Sequence, residues 1–380
     1  MWPLLLVLLP LGGDARVPAP SETVRSDTTL PNTAPLDTAL LDTSRDPWHE
    51  LDTALAAPAP SRSDRALAWG LLVRAFYTQS ASEASNGPND VSGQVLEDVD
   101  AYFSFTHEGV AGRVSADFDQ GDARLEDAYA SWPGFGWLGL TAGQFKPRVV
   151  RSGSLPAGEL LLRERTFLGA AFDLWDDGFE LGGHYDQFDY WLAVTDGANG
   201  QAKDHFWSAR AEWAFYDAGW EDREGARGAP NHLRALLGLM WFTDVAQSAA
   251  DGGGWGGDLA LTFGPYAFHA EWADLDSSFA RTIDVFNGHL ITLGDGAPRS
   301  ATLSRRVGAQ AEAVLRLQSA DDLDATEAFS LGANWTPGGG AARFVADLAL
   351  VEGDTRDFSL FSVGVQVGSS GFSRPFTDPR

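Results

Sequence analysis

Five basic residues crowd one short stretch of a chain that carries little positive charge nearby. They are Lys146, Arg148, Arg151, Arg163 and Arg165, and Glu164 lies between the last two. The whole chain has only two lysines. Cationic side chains around a narrow passage replace part of an anion's hydration shell, so the cluster predicts a constriction that favours anions. Arg113 and Arg210, with Arg234 and Arg316, could extend a positive track along flanking strands.

The acidic residues leave two alternatives to that prediction open. The same arginines could pair with Glu159, Glu164 and neighbouring Asp residues and leave no net field. The formal net charge is −26, and several acidic residues fall on the faces predicted to point inward. These are Asp100, Asp117, Glu180, Glu212, Glu271, Glu312 and Asp347. A general or cation-preferring passage therefore remains a second interpretation.

Other chemistry finds little support in the sequence. The motifs H-E-x-x-H, G-x-S-x-G and the P-loop are missing, and the seven histidines are scattered. The run Gly252–Gly257 is followed by neither a helix pattern nor Lys-Ser/Thr, so it predicts a flexible hairpin loop rather than a phosphate cradle. We expect no enzyme activity, no cofactor and no metal. The acidic charge also argues against a nucleic-acid partner.

The elements that position these residues are strands. From Arg65 onward, apolar and polar residues alternate with period two; in Phe206–Phe215, for example, Trp207 and Trp213 face one way and Arg210 and Glu212 the other. Roughly sixteen such runs, separated by Gly/Asp/Pro turns, predict an all-β fold: a transmembrane antiparallel β-barrel of about 16 strands. The apolar face would contact lipid and the polar face the lumen. The expected aromatic girdle comprises Tyr77, Trp132, Trp137, Trp191, Trp213, Trp241, Trp272 and Trp335.

The composition divides the chain into four parts. Residues 1–15 carry a short apolar run that predicts a signal peptide. Residues 16–64 are rich in Pro, Thr and Asp, so we expect a disordered acidic segment before the barrel. The barrel itself is expected over 65–372, and 373–380 would form a C-terminal tail. Cysteine is absent, so no disulfide constrains any part.

A long loop follows the hairpin of Leu125–Trp132 and Trp137–Phe145. The alternation stops at Lys146-Pro147 and resumes only near Phe179, so the 146–172 segment is longer than a turn requires. The order of Leu125-Glu126-Asp127-Ala128-Tyr129, Gly143-Gln144-Phe145-Lys146-Pro147 and Arg163-Glu164-Arg165-Thr166 resembles the phosphate-selective porin O and P family. Tyr190–Gly200 is a further similarity. The resemblance implies a sixteen-stranded, trimeric outer-membrane porin, and phosphate among the anions it passes.

These observations lead to one prediction of function and two alternatives. The prediction is a porin of the bacterial outer membrane that passes small hydrophilic solutes or ions, with the 146–172 loop as its constriction. Its partners would be outer-membrane lipid, the solutes and two further copies in a homotrimer. The first alternative is a non-conducting outer-membrane anchor tethered to the cell wall through the acidic N-terminal segment. The second is a secreted, Trp-rich carbohydrate binder with a β-sandwich fold.

Overall fold

The computed structural model describes residues 66–368 except 85–86, 89–90, 120, 135–136, 198–204, 217–222, 246–251, 287–288, 323, 338–341 and 355–356. The predicted signal peptide, the acidic segment and the C-terminal tail lie outside the described residues. In the part that is described, no helix is both long and apolar enough to cross a membrane.

Strands make up nearly all of the described chain. They are β1 (Ala66–Ala84), β2 (Gly87–Pro88), β3 (Val91–His107), β4 (Val110–Asp117), β5 (Arg124–Trp132), β6 (Gly139–Phe145), β7 (Asp176–Tyr185), β8 (Phe188–Thr195), β9 (His205–Phe215), β10 (Arg234–Val245), β11 (Gly252–Phe263), β12 (Tyr266–Val285), β13 (His289–Gly296), β14 (Arg299–Val307), β15 (Ala311–Ser319), β16 (Glu327–Trp335), β17 (Ala342–Glu352) and β18 (Asp357–Gly368). All the pairings between strands are antiparallel.

The sheet closes on itself because β18 pairs with β1. Counted around the barrel there are 16 strands, since two pairs of segments each form one interrupted strand. The short β2 continues into β3, and both pair with β1. Similarly, β13 and β14 follow each other along β12. The predicted all-β barrel of about 16 strands is confirmed, and closure leaves no edge strand exposed.

The two ends of the barrel differ in their connections. At one end, here called the turn end, Glu108-Gly109, Asp186-Gln187 and Gly264-Pro265 join strands in tight turns. The other end, the loop end, carries the longest connection of all, residues 146–175 between β6 and β7. One turn-end connection departs from this pattern, because residues 216–233 between β9 and β10 are far too many for a hairpin turn.

The predicted alternation holds around most of the wall. On β9, Trp207 and Trp213 point outward and are exposed, while Ser208 and Arg210 point inward and are buried. Similar exposed Leu, Val, Phe and Trp side chains on successive strands form an apolar belt that suits contact with lipid. Trp191 is an exception to the predicted girdle: it is only 7% exposed and faces inward.

The run Gly252–Gly257 is not a hairpin loop, as the sequence suggested, but part of strand β11. A Cβ on Gly256 would lie 2.6 Å from Cε of Met240, and a Cβ on Gly254 would lie 2.8 Å from Cζ of Phe242. Glycine is needed here because inward-facing side chains of the neighbouring strand β10 pack directly against the β11 backbone.

The prediction that inward faces are polar fails in the loop-end half of the barrel. On β12, the inward residues Leu275, Ile283 and Val285 are buried, whereas Asp274 and Asp284 are exposed. Inward apolar residues of β9, β10, β12, β13 and β16–β18 form one cluster with residues of the 146–175 connection. The lumen is therefore apolar towards the loop end along these strands, whereas buried acids such as Asp117 and Glu126 lie near the loop end of β4 and β5.

Candidate functional site in the barrel lumen

The 146–175 connection, called here the lumen loop, folds into the barrel. It contains helix α1 (Arg151–Ser154), a 3-10 turn (Ala157–Glu159) and helix α2 (Phe167–Ala171), joined by irregular chain. Its Phe172 ring packs edge-on against Phe242 of the wall, with ring centroids 4.8 Å apart. Burying such aromatic surface fixes one side of the loop against β10–β12.

Arginine side chains donate hydrogen bonds to backbone oxygens in the irregular parts of the loop and so fix its conformation. Carbonyls outside regular structure need donors when buried, and guanidinium groups of the wall and of the loop itself supply them. Arg74 donates to Arg163 O (2.9 Å), Arg165 to Ser152 O (2.8 Å) and Leu155 O (2.7 Å), Arg210 to Val149 O (3.2 Å), Arg281 to Ala171 O (2.7 Å) and Arg316 to Glu164 O (2.7 Å). Much of the positive charge in the lumen thus supports the loop's conformation.

The loop is also joined to the wall through the carboxylate of Glu271 on β12. It accepts hydrogen bonds from Ser152 (2.7 and 2.8 Å) and Ser300 (3.2 Å), and a further one from Thr166. Thr166 Oγ1 in turn accepts from the backbone N–H of Gly169 and so caps helix α2. One wall carboxylate therefore fixes both helices of the loop.

The structure brings the predicted residues Lys146 and Arg165 together on one carboxylate, that of Asp173. Lys146 forms an ion pair with Asp173 and lies 3.9 Å from the centroid of the Trp175 ring. Arg165 Nε lies 2.6 Å from the other oxygen of Asp173. Burial alone would raise the pKa of Asp173, but Arg165 and Lys146 outweigh it and hold the pKa below its usual value.

Arg163 and Glu164 lie at a second cluster. Arg163 lies 3.0 Å from Glu97 Oε1 and 3.2 Å from Glu164 Oε1, while its backbone N–H donates to Asp347 (2.7 Å). Glu97 also pairs with Arg74 at 3.4 Å. The two predicted residues are therefore members of one network that joins the loop to β1, β3 and β17.

The remaining predicted cations are spread around the lumen rather than gathered at one point. Arg113 pairs with Asp127 (2.7 Å) and lies over the Tyr102 ring. The guanidinium of Arg148 lies 4.8 Å from the centroid of the Trp191 ring, which explains why that tryptophan faces inward. Arg151 donates to Arg223 O (3.4 Å).

Arg210 is the most strongly neutralised of the predicted wall residues. Its guanidinium contacts Glu212 and Asp258, each at 2.8 Å. The guanidinium is also almost completely buried. This pairing matches the alternative in which arginines are balanced by neighbouring carboxylates.

A second segment enters the lumen from the turn end. Residues 223–229, called here the plug segment, belong to the long β9–β10 connection. Glu224 accepts hydrogen bonds from Arg316 (3.0 and 3.1 Å) and from the backbone N–H of Leu161 in the lumen loop (2.8 Å). The Ala226 N–H donates to Glu312 (2.6 Å). The lumen loop and the plug segment thus meet inside the barrel, with Arg316 bound to both.

Two small cavities flank this meeting point. Their volumes are about 20 and 30 Å³, which is room for a water molecule or two. Leu161 and Glu224 line both. Ala226 is fully buried and Glu224 nearly so, which shows how closely the plug segment is packed in this conformation.

Two β-bulges turn adjacent carboxylates to the same side of the wall. The β1–β3 register shifts between Arg74 and Ala75, so β3 has one extra residue there. Glu97 and Asp98 consequently both reach the inward-facing Arg74.

The second bulge lies between β4 and β5. The register shifts between Val114 and Ala116, and both Glu126 and Asp127 are buried. Glu126 lies beside Asp100 and Asp117, and carboxylate oxygens of these three residues all lie within 4.8 Å of one another. The inner face of β3–β5 therefore carries a dense group of acids.

Several of these functional residues were not found from the sequence. Asp173, Glu224 and the plug segment were missed, although the long gap between Phe215 and Arg234 was a visible signal. Glu97 and Glu126 were missed because strict alternation places them on the outer face, next to an inward acid. A β-bulge turns such a residue inward, and whether a bulge forms depends on the register with the partner strand.

Comparison with known proteins supports the fold. No family model matches the chain, and no curated protein sequence does. Among solved structures it is similar to the outer membrane channel DcaP of Acinetobacter baumannii (TM-score 0.55, 12% identity, 82% of this chain and 100% of that one). It is also similar to OprB of Pseudomonas putida (0.52, 9%, 79% and 94%) and to in-vitro folded OmpT of Vibrio cholerae in its trimer form (0.52, 12%, 81% and 100%). The chain therefore has the barrel fold of bacterial outer-membrane proteins.

Proposed function

We propose that this protein is a porin of the bacterial outer membrane that passes small hydrophilic solutes or ions passively, with the lumen loop at its constriction. The observation that carries the proposal is the long loop folded into a closed 16-stranded barrel and lined by ionised groups. A barrel that serves only as an anchor has no need for so many charged side chains on its inner face. We further propose that the turn end faces the periplasm, since outer-membrane barrels have short turns on that side.

The eight residues predicted from the sequence keep a role in this proposal. Together they would set the width of the constriction: Arg163 and Arg210 join the loop to the wall, Lys146 and Arg165 bond within the loop, and Arg113 belongs to the wall itself. The other three are Arg148, Arg151 and Glu164. The phosphate preference that the family resemblance implied receives less support, because these cations are engaged by carboxylates, backbone oxygens and aromatic rings. A homotrimer is part of the same proposal, and the trimer form of the similar OmpT structure supports it.

A second candidate is the non-conducting anchor. The observation in its favour is the dense packing of the lumen, in which the loop and the plug segment meet and two small cavities flank the contact.

A liposome-swelling assay separates the two candidates. Detergent-purified protein is reconstituted into vesicles that are then diluted into iso-osmotic solutes of increasing size. A porin predicts swelling whose rate falls steeply as the solute grows, with no energy source added. Vesicles that contain folded, heat-modifiable protein and do not swell in even the smallest solute would favour the anchor. Heat-denatured protein is the control for leakage.

A further inference from the structure

Several acidic side chains in the lumen are more exposed to water than the basic side chains that they pair with. This difference affects the charge that a permeating ion would meet. Side chains of Arg74, Arg163, Lys146 and Arg165 are 4%, 5%, 6% and 8% exposed. Their acidic partners Glu97, Asp98, Glu164 and Asp173 are 19%, 22%, 21% and 27% exposed. In each of these pairs the cation is sequestered and the carboxylate keeps contact with water.

The reason lies in what each group bonds. Guanidinium groups have several donors, and here many of them point at carbonyl oxygens of the lumen loop, which draws the positive charge into the packed interior. Carboxylates only accept, and the loop offers few free N–H groups. The carboxylates therefore keep part of their surface accessible to solvent.

The wall opposite the loop adds further negative charge. The acids brought together by the two bulges form what we call the carboxylate patch: Glu97, Asp98, Asp100, Asp117 and Glu126. Asp100 Oδ1 accepts no hydrogen bond from any described residue. Basic residues also lie at the patch: Arg74 pairs with Glu97 and Asp98, Arg163 pairs with Glu97, and Lys146 is buried against Asp173 and Trp175. Arg124 approaches Asp117 and Glu126, at 3.8 Å from each, and is largely exposed, so it offsets part of the negative charge there.

We propose that the passage between the carboxylate patch and the lumen loop selects small inorganic cations over anions. The inference rests on the proposed function, since it needs a conducting pore. A field set by rings or groups of Asp and Glu attracts cations into a pore and repels anions.

The test is the reversal potential of single channels in a planar bilayer under a tenfold KCl gradient. A pathway permeable to K⁺ and not to Cl⁻ would give about 59 mV. We expect the sign of cation selectivity for the wild-type protein. A double variant, Asp100→Asn with Glu126→Gln, removes two charges of the patch and should lower the K⁺/Cl⁻ permeability ratio severalfold. Asp284→Asn, which removes an exposed outward acid of β12, should leave the ratio unchanged.

Each outcome is decisive. Anion preference in the wild-type protein overturns the inference even if the double variant does not fold, and leaves the pore in place. An unchanged ratio in a folded, conducting double variant also overturns it, as does an equal change in the Asp284→Asn control. Absence of any channel steps is a different failure, because it removes the proposed porin function together with the selectivity.

Discussion

Arginine in this lumen acts mainly as a donor to the backbone. The predicted role of the basic cluster was an attraction for anions, but Arg165 and Arg210 each bond both a carboxylate and a carbonyl of the loop. A bidentate, fork-shaped donor suits that double task better than lysine does. Charge type alone, which is all that a sequence displays, therefore says little about the field that a permeating ion meets.

A carboxyl pair at the loop end provides a pH-dependent feature at the scale of single residues. Asp176 begins β7 and accepts hydrogen bonds from Asp177 N (3.0 Å) and Gly197 N (2.9 Å). Asp196 follows β8. A hydrogen bond with the Asp176 side chain raises the pKa of Asp196 to about 6, with smaller contributions from burial and from the nearby negative charges.

We predict that Asp196 titrates near pH 6. Because its pKa is higher in the folded than in the unfolded chain, its contribution to stability is complete below the unfolded value of 3.8 and is lost as the pH rises through about 6. Carbon-13 NMR of the labelled carboxyl group would measure the midpoint. Asp176→Asn should move the midpoint down towards the usual value, whereas a midpoint that stays near 6 in this variant would show that Asp176 is not the cause.

Among the structural elements, β11 shows how a glycine-rich strand can be mistaken for a loop. Its glycines leave room for Met240 and Phe242, so the strand is specified by the packing of its neighbours and not by its own side chains. Nothing in the local sequence marks it, because glycine is typical of turns and has no side chain to show alternation.

We expect Gly256→Ala to destabilise the barrel by about 1–3 kcal/mol, the usual cost of overpacking. The new Cβ would lie 2.2 Å from the backbone oxygen of Trp272 and 2.6 Å from Met240 Cε. Gly93→Ala on β3 is the matched control, since a Cβ there meets nothing within 4 Å. Urea unfolding followed by tryptophan fluorescence gives both values. Equal midpoints for the two variants would contradict the packing role of Gly256.

The second prediction about a structural element concerns the plug segment. Glu224→Gln removes the charge that holds Arg316 and should free the segment from the lumen loop, because breaking a buried ion pair costs about 3–5 kcal/mol. Single-channel recording should then show a larger or more frequent open state than the wild-type protein has. Glu327→Gln, at an exposed acid of β16, is the control. A Glu224→Gln channel with unchanged conductance and gating would mean that the segment does not obstruct the pathway.

At the scale of the whole molecule, the sequence was sufficient for the architecture and insufficient for the lumen. Strand count and most outward faces were predicted correctly, because a side-chain period of two and an apolar belt are local properties; Trp191 and the loop-end part of β12 are exceptions. The inside of the barrel arises from contacts between distant segments, such as Glu224 with Arg316 or Phe172 with Phe242. The length of the 146–172 loop was visible in advance, but its partners on the wall were not.

The lumen has two tiers, the apolar region that packs against the loop and the charged region, and their positions can be understood only from the whole barrel. The outward tryptophans Trp255 and Trp272 lie side by side, with ring centroids 4.9 Å apart. Beyond them, towards the loop end, the outer face of β12 and β13 becomes polar and the inner face becomes apolar. We interpret this inversion as the place where the wall leaves the lipid, so that water lies outside and the packed loop inside. The apolar tier anchors the loop, and in the proposed porin the charged tier would meet the solute.

The central claim is that solutes cross this barrel through its lumen, and single-channel recording of the full-length wild-type protein in a planar bilayer tests it most directly. A passive pore predicts discrete, repeatable current steps from detergent-purified, heat-modifiable protein, without ATP or any other energy source. Repeated insertion of folded protein with no steps would contradict the account, and the barrel would then be an anchor whose lumen is permanently filled.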